Sequence, residues 1–301
     1  MRTRPAAIHL VIGACLAALL AAHAPAAPAQ HSKEFWRDLV NKKSPPPPAD
    51  QLPAMLTELS GYLGSTDPEL RDDIAYTVLS SWIYRQRIVP VELRRTLMNE
   101  WIGNLSTGIG DRDSDSVLHR SFSALALGIL AILDNEAPFL ERAEFEHLLA
   151  AALAYLRNER DVRGFDPDKG WMHSAAHTAD LLRFLARSRH LEPAGQATIL
   201  SAISEKVSVV DHVFTHGEDE RFARAVHSIV LRADFDEPGF TRWVKLVAVR
   251  PPGMPTPASL VAGQNRRHLL VSLYAVLAMD PRDLPSLHNA RATVLEAIKP
   301  A

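Results

Sequence analysis

Apolar residues recur along most of this chain at intervals of three and four, the spacing that lines one face of a helix. Leu70, Ile74, Val78 and Trp82 make one such stripe, and Phe122, Leu125, Ile129 and Ile132 a second. Phe222, Val226, Ile229 and Val230 make a third, and Leu269, Leu273, Val276 and Leu277 a fourth. Start signals fall where the stripes begin. Asp67-Pro68-Glu69 offers a capping carboxylate, a proline at the first helical position and an acid in the first turn. Glu192-Pro193 and Glu237-Pro238 are further starts, and Thr215-His216-Gly217-Glu218 fits a capping box. Sustained period-two alternation is absent, so strands are not expected. The pattern predicts about eleven helices, most of 12–20 residues, joined by connections of roughly 4–10.

Short connections make sequential helices antiparallel neighbours. A helical pair recurs about every 40 residues, within the range of helical-repeat proteins. The fold class is therefore all-α, with paired antiparallel helices in a HEAT-like curved solenoid over residues 50–301. A closed α/α ring is the alternative. Residues 121–133, SFSALALGILAIL, are apolar nearly all round, which places this helix in the interior, with Gly128 letting a neighbour approach closely.

The N-terminal end changes the picture of where the fold begins. Arg2 and Arg4 precede an apolar run, and Ala27-Pro28-Ala29 is a small-x-small cleavage pattern. Residues 1–29 read as a secretory signal, with no membrane span after its removal. The expected location is periplasmic or secreted. Cys15 is the one cysteine; lipid anchoring through it is the alternative. Residues 30–49 form a short segment ending in a spacer of four prolines, Pro45 to Pro48. Without Arg2 and Arg4 the chain carries 31 basic residues against 35 acidic, a formal net charge of −4. That balance excludes a nucleic-acid partner, which needs a concentrated basic face.

Candidate chemistry gathers in residues 159–180, ERDVRGFDPDKGWMHSAAHTAD. Seven charged side chains precede two histidines there. Asp166-Pro167-Asp168-Lys169-Gly170 is turn chemistry, with Asp168 expected to cap a helix starting near Gly170. On that helix Trp171, Ala175, Ala179, Leu182 and Ala186 share one face, and His173, His177 and Asp180 the opposite one. Histidines at i and i+4 are able to share a metal, so His173 and His177 are candidate ligands of zinc or a similar divalent ion. Asp180 is too far along the axis to be a third ligand and is expected to accept a hydrogen bond from His177. A third ligand would come from Glu159, Asp161, His216, Glu218 or Asp219. The alternative needs no cofactor: the histidines hydrogen-bond within a helical array, and Glu159, Arg160, Asp161 and Arg163 form ion pairs that fix the loop, with Gly164 at a tight turn. A second cluster, HGEDER at residues 216–221, offers Glu218, Asp219 and Arg221 as groove-lining groups.

No glycine-rich phosphate loop, Gly-x-Ser-x-Gly elbow or His-Glu-x-x-His motif is present. Arg120-Ser121-Phe122-Ser123-x-Leu125, the run from Tyr155 to Gly164, and Lys169-Gly170-Trp171-x-His173-x-x-Ala176-His177-x-Ala179-Asp180 together resemble the bacterial domain of unknown function 2785 family. Arg71-Asp72-x-Ile74-Ala75-Tyr76 and Gly217-Glu218-Asp219-x-Arg221 also match its pattern. The resemblance covers residues 68–280 and implies an all-helical domain centred on the histidine helix, with no activity attached. Expected function is recognition of a peptide, glycan or protein partner by a face that includes Trp171, His173, His177, Asp180, Asp219 and Arg221. An envelope hydrolase with Glu159, Asp161 or Glu218 as catalytic base is one alternative, and a purely structural scaffold another.

Overall fold

Among the described residues Trp36 is the first to enter the core, ahead of the proline run rather than behind it. In the computed structural model, residues 30–42, 45–249 and 253–299 are described. The leader assigned to residues 1–29, with Cys15, lies outside them. Helix α1 (Lys33–Asn41) is capped by Ser32, whose hydroxyl accepts from the Phe35 amide. Its Trp36 packs near Trp82 and donates to Glu58 Oε1 at 2.8 Å. Residues 31–301 form one unit.

The described chain is mostly helical, as the periodicity predicts. After α2 (Leu52–Tyr62) come two wider-wound π-helical stretches, Glu69–Tyr76 and Ser81–Arg85, flanking α3 (Thr77–Ser80). Asp67 Oδ1 accepts from the Glu69 amide at 3.0 Å, so the expected start signal operates there. Then follow α4 (Val91–Asn104), α5 (Ser116–Glu136) and α6 (Arg142–Asn158). Beyond a loop lie α7 (Ser174–Leu185), α8 (Pro193–Val209), α9 (Glu218–Val230), α10 (Glu237–Ala248), α11 (Pro257–Met279) and α12 (Pro285–Ile298). Helices α5, α7, α9 and α11 pack successively, each on the next. Helices α6, α8, α10 and α12 form a second such series, and α6 packs on α7 and α10 on α11. Alternate helices therefore segregate into two layers, each burying its apolar stripe against the other.

Helix α5 is the most enclosed element. Among the described residues it is the one helix long and apolar enough to cross a membrane, and most of it is buried within the protein. A Cβ on Gly128 would lie 3.7 Å from the Leu181 Cα, so α7 does pass close at this glycine.

The strand-free expectation needs correction at one place. Strands β1 (Phe165–Asp166) and β2 (Gly170–Trp171) pair antiparallel, Phe165 opposite Trp171. Asp166, not Asp168, organises the turn: its Oδ1 accepts from the amides of Asp168 and Lys169, each at 2.9 Å. Gly170 then adopts φ +73° and His173 φ +47°. Two left-handed residues interrupt any helix there, so α7 begins at Ser174. Trp171 and His173 thus precede the helix, and the two-faced helix expected from Trp171 onward does not form.

Candidate functional site

The buried part of the site starts on α5. Arg120 is wholly enclosed, and every nitrogen of its guanidinium is used. Nε and Nη2 grip the Glu159 carboxylate at 2.6 and 3.1 Å, and Nη1 donates to the carbonyls of Thr107 and Gly108 and to Ser116 Oγ. Glu159 Oε1 also accepts from the Asp161 amide at 2.9 Å, and its carbonyl accepts from Lys206 Nζ at 2.8 Å. Burial pushes the Lys206 ammonium down to about 8. Asp161 is held in turn by Arg163 (Nε to Oδ1 2.8 Å) and receives Ser174 Oγ on its carbonyl. The ion-pair lattice expected ahead of the histidines forms in part: Arg163 pairs with Asp161, but the partner of Glu159 is Arg120 and not Arg160, which is exposed and makes no ion pair among the described residues. Glu159 and Asp161 are committed to it and do not face the imidazoles as base or metal ligand.

Arg71 fixes the hairpin from the other side. It is buried and donates to the carbonyls of Ser65 and Lys169 at 2.8 and 2.7 Å, while its guanidinium lies over the Phe122 ring at 4.7 Å. The edge of the same ring meets His177 at 4.8 Å.

His177 is 5% exposed. Its Nδ1 lies 2.8 Å from Ser121 Oγ, and that hydroxyl donates to the Met172 carbonyl. A hydroxyl has one proton to give, so Nδ1 of His177 must carry its own and donate to Ser121. Nε2 is then the unprotonated nitrogen. Ser121, enclosed and donating to a backbone carbonyl, is not poised as a nucleophile. Burial, the nearby His173 and the Arg221 and Arg71 guanidinia hold His177 well below the usual imidazole range.

His173 is 6% exposed and stacks under the Trp171 indole, centroids 4.2 Å apart and planes 27° from parallel. It meets His177 edge-on at 5.7 Å and His216 at 6.4 Å. Its Nε2 is buried without a hydrogen-bond partner among the described residues. Burial first, then the charges of Arg221 and His216, push its pKa down to about 4. Both rings are therefore neutral at pH 7. Over them Trp171 stays 41% exposed and meets Phe165, 48% exposed, at 4.8 Å.

Asp180 does not accept from His177. It pairs with Arg221 of α9, which crosses beside α7. Burial nonetheless raises the Asp180 carboxyl above its usual range. The capping box expected at Thr215 is also absent: Gly217 precedes α9 at φ +82°, and Glu218 turns back to accept from the His216 amide at 2.8 Å. Asp219 accepts from Ser272 of α11 and so points away from the histidines. Gly164 has a different role from a tight turn. A Cβ there would fall 2.3 Å from His216 Nδ1, so the glycine lets the His216 ring lie against the loop.

The structure thus brings Trp171, His173, His177, His216, Asp180 and Arg221 together, ties Glu159, Asp161 and Asp219 to other partners, and keeps Glu218 beside His216 through the backbone amide alone. Among the described residues no group of three His, Cys, Asp or Glu side chains is arranged to hold a metal ion. Of the proposed third ligands, each carboxylate is hydrogen-bonded to another group, and His216, though its ring lies 6.4 Å from that of His173, completes no three-ligand group among the described residues. Arg71, Ser121 and Lys206 were not singled out for roles from the sequence. The signal for Ser121 and its neighbour Arg120 was present: a charge and a hydroxyl at the head of an otherwise apolar helix require buried partners.

A family model described as "Protein of unknown function (DUF2785)" matches residues 105–275, more than half of the chain, which belongs to that family. The matched stretch holds α5 through α10 entire, and with them every site residue above except Arg71. No curated protein and no solved structure matches the chain.

Proposed function

We propose that this member of the family is an exported recognition module, binding a peptide or glycan segment across the Phe165–Trp171 hairpin and the His173–Arg221 surface beside it. The observation that carries this reading is the pairing of an exposed indole with a buried imidazole nitrogen left without a partner. Trp171 offers a flat apolar platform at the edge of water, and His173 Nε2 offers a hydrogen-bonding position beneath it. Arg221 adds a half-exposed cation whose single carboxylate partner is Asp180. Such a mixture of aromatic face and few polar groups suits recognition of an amphipathic chain. The succession of α5, α7, α9 and α11 in one layer supports a HEAT-like helical array as the frame, in which neighbouring units supply a continuous face.

The hydrolase reading has less support. Glu159, Asp161 and Glu218 are each occupied by local hydrogen bonds, which leaves the two neutral imidazoles as its proton acceptors. Glycan and peptide arrays probed with the full chain and with Trp171→Ala test the proposal. A set of related ligands retained by the wild type and lost by the variant is expected. An identical pattern for both proteins would overturn it, and release of cleaved fragments by the wild type but not by His177→Asn would replace it with hydrolysis.

A further inference from the structure

The polar side of α7 continues beyond Asp180 into a second, separate place. An open cavity of about 700 Å³ lies between α7, α9 and the segment after α11. Six arginines line it: Arg183, Arg187, Arg189, Arg224, Arg232 and Arg282. Four of these have carboxylates of their own. Arg189 pairs with Asp134 at 2.9 Å, Arg224 with Glu220 at 2.5 Å, Arg232 with Asp234 at 2.7 Å, and Arg282 with Asp280. Asp280 also accepts from His227, whose ring lines the same wall.

Arg183 and Arg187 are different. Arg183 lies in the last turn of α7 and Arg187 just past its end, and neither is in ion-pair contact with a carboxylate among the described residues. Both guanidinia lie over the Phe184 ring, at 5.5 and 5.4 Å. Arg183 Nε is buried with no hydrogen bond, and Arg187 donates only to Ser228, at 3.1 Å. Two like charges near one ring, with no carboxylate in ion-pair contact among the described residues, cost stability unless something else neutralises them.

We propose that this cavity is a binding site for a small organic dianion, a phosphate monoester or a dicarboxylate, held by Arg183 and Arg187. The charge surplus is two, which sets the ligand's charge. The geometry of guanidinium donors favours planar or tetrahedral oxyanions that accept two parallel hydrogen bonds. The volume falls in the range of small-molecule sites and exceeds what a bare inorganic anion fills. Leu231 and Val276 furnish an apolar wall for the ligand's carbon part. Burial and the neighbouring arginines hold both guanidinia below their ordinary range, and at Arg183 the charge of Asp180 offsets this only in part.

Glycerol 3-phosphate, succinate and inorganic phosphate, titrated calorimetrically into the full chain at low ionic strength, test the site. Saturable binding of glycerol 3-phosphate or succinate is expected, and which of the two binds tells phosphate from dicarboxylate chemistry. Arg183→Gln and Arg187→Gln should each weaken it at least about tenfold. Arg157→Gln, remote from the cavity, and Trp171→Ala should leave it unchanged, which separates this site from the hairpin surface. In the absence of ligand, Arg187→Gln should unfold at a higher temperature than the wild type, because one of two repelling charges is gone. Failure of the wild type to bind either organic dianion, or binding by both glutamine variants as tight as the wild type's, would overturn the site. So would a lower melting temperature for unliganded Arg187→Gln, which would make that arginine a structural contact.

Discussion

Two polar clusters flank the same hairpin, and they differ in what each leaves over. Around Arg120 every charge is met: its guanidinium makes five hydrogen bonds, to Glu159, Ser116 and two carbonyls, and Lys206 donates to the Glu159 carbonyl, which leaves only the neutral Tyr155 hydroxyl of this cluster without a partner among the described residues. Around His173 something is left: one ring nitrogen has no partner and an indole stands in water. In sequence the two clusters look alike, dense runs of charge and imidazole within twenty residues of each other. The charge-compensated one holds the loop in place, and the other keeps the unmet groups on which the recognition proposal rests. Accounting for every buried donor and acceptor separates the two where residue density does not.

If that contrast is right, the largest effect comes from breaking the charge-compensated cluster. Glu159→Gln removes the charge that faces the enclosed Arg120 guanidinium and leaves it uncompensated. A loss of about 3–5 kcal/mol is expected, because an orphaned buried charge costs more than the pair contributes. The melting temperature should fall by roughly 6–20 °C, measured by calorimetry. A change under about 1 kcal/mol would erase the distinction between the clusters.

The imidazoles come next. His173 titrates at about 6.5 when unfolded and about 4 when folded, because burial disfavours its charged form. Between these values the unfolded chain binds a proton that the folded chain refuses. Stability is therefore full above about pH 6.5 and falls as pH is lowered toward 4, by on the order of 3 kcal/mol for this ring. His177, also depressed, acts in the same direction. Carboxylates held low, Asp67 chiefly by Lys33 and Glu144 by the Glu141 amide and then Arg95, lose their contribution at lower pH and so can be told apart. Denaturant unfolding at pH 7 and pH 4.5 should show the drop in the wild type and a smaller one in His173→Asn. An unchanged drop in that variant would mean the ring is hydrated in solution.

Ser121→Ala has a smaller expected cost, about 1–3 kcal/mol, since it strips partners from both the Met172 carbonyl and His177 Nδ1. It should also free His177 to exchange tautomers, visible in the ring's nitrogen chemical shifts. Retention of a single Nδ1-protonated form in the variant would remove Ser121 from its positioning role.

These tests follow from features that were unequally legible in the sequence. The all-helical class came from three-and-four spacing at Ile74, Phe122, Val226 and Leu273, because burial of one helical face writes itself into residue order. The neighbourhood of His173 and His177 was legible as a dense polar segment. Their orientation was not, since it depends on φ at Gly170 and His173, a backbone choice imposed by Asp166 capturing two amides. The partners of Asp180 and Glu159 were hidden for another reason. Arg221 and Arg120 lie about forty residues away in the chain, and only packing of α7 on α9, and of the loop on α5, brings them into contact.

The smallest stability effect belongs to Trp171, and it is the sharpest test of the contrast. The indole buries only part of its surface, so Trp171→Ala should cost about 1 kcal/mol, the worth of one stacked aromatic contact, with a fall in melting temperature of about 2–4 °C. Its larger consequence is electrostatic. The ring lies face-on over His173 and helps keep water from it, so its removal should raise the His173 pKa from about 4 toward the ordinary imidazole value. Proton NMR titration of the His173 ring reads this directly. Trp171→Phe, which keeps a flat cover, should leave the pKa close to the wild-type value. A pKa still near 4 in the alanine variant would mean that the loop and Arg221 alone set the ring's charge. The exposed indole would then have no part in shaping the imidazole beneath it, and the two would not form one surface.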